Sequence, residues 1–197
     1  MAYATLAQVK NSLRITDNVD DLSVQMAIDS ATEMIDGYCG RTFLQNSTTR
    51  TFVAYADDLC EIDDLSTLTT LKTASSTTSG FDTTWTSGYQ LEPLNGVSAG
   101  KTGWPYTRIR AIDQAFPRNM SGEQALVQVT GTFGWAAVPN SVIQACVIQA
   151  SRLFKRSESP MGVAGYGDLG VMRITSKYLD GDVTQLLDDY RLVKSVG

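Results

Sequence analysis

The sequence predicts an α+β fold: a small helical bundle, with two N-terminal and two C-terminal helices, carrying an inserted β-rich module. Three observations point there. Apolar residues recur at helical spacing in the first 40 residues and again after residue 138. Between these blocks, fourteen of the 23 residues in Ser66–Gly88 are Ser or Thr, which disfavours helix and suits strands joined by polar turns. Finally, 197 residues with 43% hydrophobic and 19% charged side chains can bury a core that needs no disulfide or metal to hold it. The expected boundaries are 1–43 and 136–197 for the helical core and 44–135 for the module.

The elements follow in order. Thr5 and Gln8 have the spacing of a capping box, and Leu6, Val9 and Leu13 then mark one face of a short helix. The segment "TDNVDD" supplies a turn. A second helix is expected with Leu22, Met26, Ala27, Ser30, Met34, Ile35 and Tyr38 on its apolar face, ending near Gly37 or Gly40. Strands are expected at Thr51–Tyr55, Leu68–Ala74, Tyr89–Leu91, Arg108–Ile112 and Ala125–Trp135, the last from its alternation of Val127, Val129 and Gly131 with polar neighbours. Pro139 and Asn140 open a third helix with Val142, Ile143, Cys146, Ala150, Leu153 and Phe154 inward, and Arg152, Lys155 and Arg156 complementing the helix dipole near its end. After a glycine-punctuated stretch, Asp182 and Gln185 are expected to cap a last helix through Val183, Leu186, Leu187 and Tyr190.

Composition removes several kinds of chemistry. The chain contains no histidine, so imidazole general bases, triads and imidazole metal ligands are excluded. A net charge of -5 argues against a simple nucleic-acid binder, whose affinity comes from cations laid against phosphates. Cys39, Cys60 and Cys146 stand far apart with no C-x-x-C pair, which reads as buried thiols in a reducing compartment. No stretch has a signal-peptide core or the length of a membrane span, so synthesis in the cytoplasm and no membrane partner are expected.

Short motifs were weighed against their contexts. Residues 165–170, "GYGDLG", have the G-x-G-x-x-G spacing of a dinucleotide loop, but they follow a predicted helix instead of a strand and lead into Val171–Ile174, an extended arm. A flexible or interface loop is the better reading, and no cofactor is expected. "DDLCEIDD" could hold a hard cation but lacks the EF-hand offsets, as does "DGDVTQLLDDY"; a solvated or repulsive acidic edge is expected and no metal. Gly100-Lys101-Thr102 ends like a phosphate loop, yet Asn95 stands where the first glycine belongs and Pro105 blocks the following helix. No pair among the many carboxylates is singled out for glycoside chemistry. Trp85, Trp104 and Trp135 read as core or subunit-contact residues.

Two stretches resemble a known family. They are "YATLAQVKNSLRITDNVDDLSVQMAIDSATEMIDGYCGRTF" and "VQVTGTFGWAAVPNSVIQACVIQASRLFKRSESPMGVAG". The opening Leu6-Ala7-Gln8-Val9-Lys10, then Asp20-Asp21, then Ile35-Asp36-Gly37-Tyr38-Cys39-Gly40-Arg41, and later Thr132-Phe133-Gly134-Trp135 before Val138-Pro139, are similar to the head-tail connector (adaptor) proteins of tailed bacteriophages. The resemblance implies a structural, non-enzymatic virion protein at the head-tail junction. It implies a homo-oligomeric ring, typically a dodecamer, beneath the portal protein, extending the DNA channel toward the next connector or tail-completion protein. Double-stranded DNA would pass without sequence-specific binding, helped by the acidic charge. The family supplies no catalytic residue, and the Ser/Thr-rich module carries no family motif; the outside of the ring is one place for it. The expected assembly interface is the segment after the third helix, Gly162, Gly165, Tyr166, Gly167, Gly170 and Met172, with Arg152, Lys155 and Arg156. Two other readings compete. One is a β-domain binding module of a phage tail or surface structure, meeting carbohydrate or protein through Trp85, Trp104 or Tyr106. The other is a nucleotide-dependent enzyme resting on the glycine motif alone.

Overall fold

Thr5 caps the first helix, α1 (Leu6–Leu13), through reciprocal bonds: the Gln8 amide donates to Thr5 Oγ1 at 3.2 Å and the Thr5 amide donates to Gln8 Oε1 at 2.8 Å. The box satisfies two amides that a helix start leaves without partners. The computed structural model describes residues 2–76, 78–118, 124–158, 163–165, 171–173 and 178–192. The chain divides into two compact units, Met1–Thr42 with Val138–Gly197, and Phe43–Ala137.

In the first unit, Lys10 pins the turn that follows α1. Its Nζ donates to Asn18 Oδ1 at 3.0 Å and to Asp21 Oδ1 at 2.5 Å, the latter at the start of α2 (Asp21–Cys39). Gly40, at φ 66°, closes α2 in the left-handed conformation that glycine adopts at little cost, its amide donating to Asp36 O at 2.8 Å. The buried face of α2 is Val24, Ala27, Ile28, Ala31, Thr32, Ile35 and Cys39. Ala27 and Ile35 are buried as expected and Met34 and Tyr38 are half-buried, but Leu22, Met26 and Ser30 of the expected face are exposed, which rotates the face toward Val24, Ile28 and Ala31. The sequence holds two apolar stripes, and the one rich in small and β-branched residues is the one against which α3 (Asn140–Glu158) packs closely.

From α3 come Val142, Ala145, Cys146, Gln149, Ala150 and Phe154, all buried, whereas Ile143 and Leu153 are only half-buried. Thr32, buried between these helices, donates its hydroxyl to Ile28 O at 2.9 Å, accepts the Tyr3 amide at 3.3 Å and lies 3.8 Å from Cys146 Sγ. One polar side chain thus ties the N-terminal segment to α2 and α3. The last helix, α4 (Gly181–Leu187), continues as a 3-10 turn over Asp188–Tyr190. Its cap is Asp180, which accepts the Asp182 amide at 3.0 Å; the expected cap Asp182 is already in the first turn. Beyond it the Leu192 amide donates to Cys39 O at 2.8 Å, fastening the chain to the end of α2.

The second unit is built on an antiparallel sheet, with no α-helix among its described residues. Its strands are β1 (Asn46–Phe52), β2 (Leu59–Thr73), β3 (Thr83–Trp85), β4 (Tyr89–Glu92), β5 (Val97–Ser98), β6 (Lys101–Thr102), β7 (Tyr106–Ala111) and β8 (Val127–Phe133). Six form one sheet in the order β1-β8-β2-β7-β4, with β3 added on β2, and β5–β6 is a separate hairpin. β1 begins five residues before the expected Thr51, and β2 is twice as long as the Leu68–Ala74 expected. Strand β2 absorbs the acidic run, with Cys60, Ile62 and Asp64 buried and Glu61 and Asp63 exposed, a period of two hidden by the charges.

β2 pairs with β7 along Leu59–Leu65 and with β8 along Leu65–Thr73, with register shifts on both runs. Bulges of this kind bend a strand. The sheet buries its apolar face within its own unit: Ile62, Leu65, Leu71, Trp85, Ile109, Phe116, Val127, Val129 and Phe133 form one core. The outer side carries hydroxyl pairs, Ser47 with Thr132 at 3.0 Å and Thr49 with Thr130 at 2.8 Å, which accounts for the Ser/Thr content.

Two glycines are required by backbone approach. A Cβ on Gly131 would sit 2.3 Å from Thr67 O, and one on Gly134, at φ 97°, would sit 2.1 Å from Leu44 O. In the helical unit, between α3 and α4, lies an antiparallel pair, β9 (Val163–Gly165) with β10 (Val171–Arg173). The helices at both ends with a β unit between them are the α+β arrangement expected from the sequence.

Candidate assembly surface

The basic end of α3 resolves into two kinds of cation. Arg152 is held inside the unit: its guanidinium donates to the Asp180 carboxylate, the cap of α4, and Gln149 Oε1 accepts the Asp180 amide at 3.4 Å. Its role is to clamp α4 onto α3, where the sequence suggested a cation complementing the helix dipole or an assembly contact. Lys155 and Arg156, one turn on, are exposed and make no ion pair among the described residues.

Of the glycine segment, Gly165 is the last residue of β9 and pairs with Val171 of β10, while Met172 stands opposite Ala164. Gly162, Tyr166, Gly167 and Gly170 lie outside the described residues. The strands on either side of 166–170 are antiparallel partners, whereas a dinucleotide loop joins a strand to a helix. Gly100-Lys101-Thr102 likewise belongs to a hairpin. Ala99 and Gly100 both have positive φ, 49° and 76°, at the tight turn between β5 and β6.

The acidic run of β2 is neutralised locally. Asp57 accepts from Arg118 at 3.2 Å, Asp58 from Arg110 at 2.8 Å and Asp63 from Arg50 at 2.7 Å. Arg110 also donates to Glu92 at 2.6 Å, and this guanidinium holds the Glu92 carboxyl below its ordinary range. Of the solvated or repulsive edge expected, the solvation is present, since Asp57, Asp58 and Asp63 are exposed, while an arginine beside each offsets the repulsion. Among the described residues no three acidic or thiol groups converge on a metal position.

The three tryptophans are packed. Trp85 is buried, stacks on Phe116 with centroids 4.8 Å apart and donates Nε1 to Thr73 Oγ1 at 3.0 Å. Trp135 is buried against Phe43 and donates Nε1 to Asp64 Oδ2 at 3.1 Å. Half-buried Trp104 tilts onto Trp135 at 4.8 Å, and Tyr106 packs on the sheet core. The Thr132-Phe133-Gly134-Trp135 motif is thus a folding device: Phe133 fills the core, Gly134 makes the tight turn and Trp135 closes over the buried Asp64.

The cysteines are three free, buried thiols. Burial pushes Cys39 and Cys60 up to about 12, and raises Cys146 while bonds from Thr32 and the Tyr3 and Ala4 backbone pull the other way. They are protonated and inert near neutral pH. No helix among the described residues is long and apolar enough to cross a membrane.

One feature of the helical unit escaped sequence analysis. Leu22 and Met26 on α2 are 75% and 64% exposed, and Val19 just before it is 85% exposed. The signal was in the sequence as a second apolar stripe, but periodicity alone does not say which stripe turns inward.

Comparison with known proteins gives two findings. The family model of phage gp6-like head-tail connector proteins matches residues 3–79, which span α1, α2, β1, β2 and the first residues after them. A chain in a solved structure described as "Neck of empty GTA particle computed with C6 symmetry" shares the fold with a TM-score of 0.58 at 19% identity, over 99% of this chain and 92% of that one. No curated protein matches. The connector resemblance carried by Leu6–Lys10, Asp20-Asp21 and Ile35–Arg41 thus lies within the region that the head-tail connector family model matches, whereas Thr132–Trp135 and Val138-Pro139 lie beyond it.

Proposed function

We propose that the protein is a structural connector that forms a ring beneath the portal, of the twelve subunits typical of such connectors, and continues the DNA duct toward the next connector or tail-completion protein. The observation that carries this reading is the connector-family match over residues 3–79, and the fold shared with a chain of a particle neck supports it along the whole length. The helical unit is the connector core and the β unit an insertion within it. Lys155, Arg156 and the segment from Gly162 to Met172 contribute to assembly contacts, and Arg152 positions α4 beside them. An acidic subunit, net charge -5, suits a duct through which DNA slides without adhering. Synthesis in the host cytoplasm fits three thiols that are all unpaired.

The test is light scattering and sedimentation of the full chain with purified portal. Co-assembly into a particle of fixed stoichiometry is expected; a chain that stays monomeric and ignores the portal overturns the proposal. Replacing Phe43–Ala137 by a flexible linker separates the roles of the two units, since the remainder should still reach the portal. Gly165→Val with Gly167→Val should reduce assembly while leaving the helical circular-dichroism signal intact, and unchanged assembly would remove that segment from the interface.

A further inference from the structure

The outward face of α2 has an unusual composition. At about 100° per residue, Leu22, Met26, Asp29 and Glu33 fall within about 60° of one another, opposite the face that packs on α3. Leu22 and Met26 are among the most exposed apolar side chains of the molecule, with Val19 extending the patch beyond the helix start. Asp29 and Glu33 continue the same line and are exposed. Asp29 accepts only a neutral bond, from Gln25 Nε2 at 3.0 Å, and neither carboxylate has an ion pair among the described residues.

The same unit carries the opposite charge elsewhere. Lys155 and Arg156 end α3, which packs on the inner face of α2, so the acidic stripe and the basic end lie on different surfaces of the unit. A ring needs two different, mutually complementary patches, because each subunit meets its neighbours head to tail. One acidic-apolar face and one basic end, both without ion pairs among the described residues, meet that requirement.

We infer that the outer face of α2, Val19, Leu22, Met26, Asp29 and Glu33, seats the neighbouring copy of this chain, whose Lys155 and Arg156 meet the two carboxylates. The inference rests on the ring reading and names the surface that makes the ring. Apolar contact through Leu22 and Met26 supplies affinity, and the charges set direction, since like patches repel.

Charge reversal in the full chain tests it. Asp29→Lys with Glu33→Lys makes one variant, and Lys155→Glu with Arg156→Glu makes another; all four positions are exposed, so circular dichroism should match the native chain. Each variant alone, with portal present, is expected to lose about tenfold or more of its assembled fraction. An equimolar mixture should recover rings, because every contact in an alternating ring again joins opposite charges. Leu22→Glu with Met26→Glu should fail to assemble even in that mixture. Native rings with each single variant assembling normally, or no recovery on mixing, would overturn the inference while leaving the ring reading intact. Normal rings that no longer bind portal would assign the face to the portal instead and also overturn it. A native chain that forms no ring with portal would remove the ring reading itself, and this inference with it.

Discussion

The helical and β units bury comparable cores but dispose of their charges differently. In the β unit, Asp57, Asp58, Asp63 and Glu92 each pair with an arginine of the same unit. On the helical unit, Asp29 and Glu33 on α2 and Lys155 and Arg156 on α3 have no such partners among the described residues. A surface whose charges pair internally is finished as it stands, whereas one that keeps complementary charges apart is equipped for a neighbour. Under the proposed ring reading, the unpaired faces of the helical unit are where a neighbour would dock.

The largest expected effect breaks the β unit. Gly134→Val forces a side chain into Leu44 O at a positive φ, and should cost about 3 kcal/mol or more in chemical denaturation of that unit. The helical signal should persist; simultaneous loss of both would show that the units fold as one. Next, Trp135→Phe keeps an aromatic body but removes the indole donor from the buried Asp64 carboxylate, for about 1–3 kcal/mol. Arg152→Ala loosens α4 from α3 by at most about 1 kcal/mol, because the pair is partly exposed, while Lys155→Ala should leave thermal stability unchanged. That contrast separates a structural cation from one kept for assembly.

Acid should move the contributions of one carboxylate in each unit, Asp36 and Glu92, in opposite directions. Burial raises Asp36 above the ordinary carboxylate value, a bond from the Tyr3 hydroxyl opposes this and the Glu33 charge adds to it, so its ionisation disfavours the folded helical unit at neutral pH. Asp36→Asn should therefore stabilise slightly at pH 7, with the gain disappearing below the unfolded value of about 3.9. Glu92 is lowered by Arg110, so its contribution is complete above the unfolded value of about 4.3 and fades as pH falls through its lower folded value. Glu92→Gln should destabilise the β unit at pH 7 and be neutral in strong acid. Denaturation curves of both variants across this range check the two signs.

Much of the helical unit was legible because its signals are local. The Thr5–Gln8 box, the Gly40 stop and the Pro139-Asn140 start each depend on a few adjacent residues. The inward face of α2 was legible only in part: Ala27 and Ile35 were placed on it, but turning Val24, Ile28 and Ala31 inward and Leu22 and Met26 outward depends on a partner helix more than 100 residues away. β2 was missed over its first half since charges on its outer side masked the alternation of Cys60, Ile62 and Asp64, and the arginines that pair them come from other strands. Asp180 hid as a cap because Asp182 and Gln185 present a closer match to the local pattern. At the candidate surface, the basic residues of α3 were visible in sequence, but separating Arg152 from Lys155 and Arg156 required Asp180 to be brought beside one of them.

The central claim is most directly tested by electron microscopy of the full chain assembled on purified portal. A closed ring, one helical unit beside the next around a central duct coaxial with the portal, is the predicted result. Portal particles without added density, from a chain that remains monomeric in solution, would contradict it.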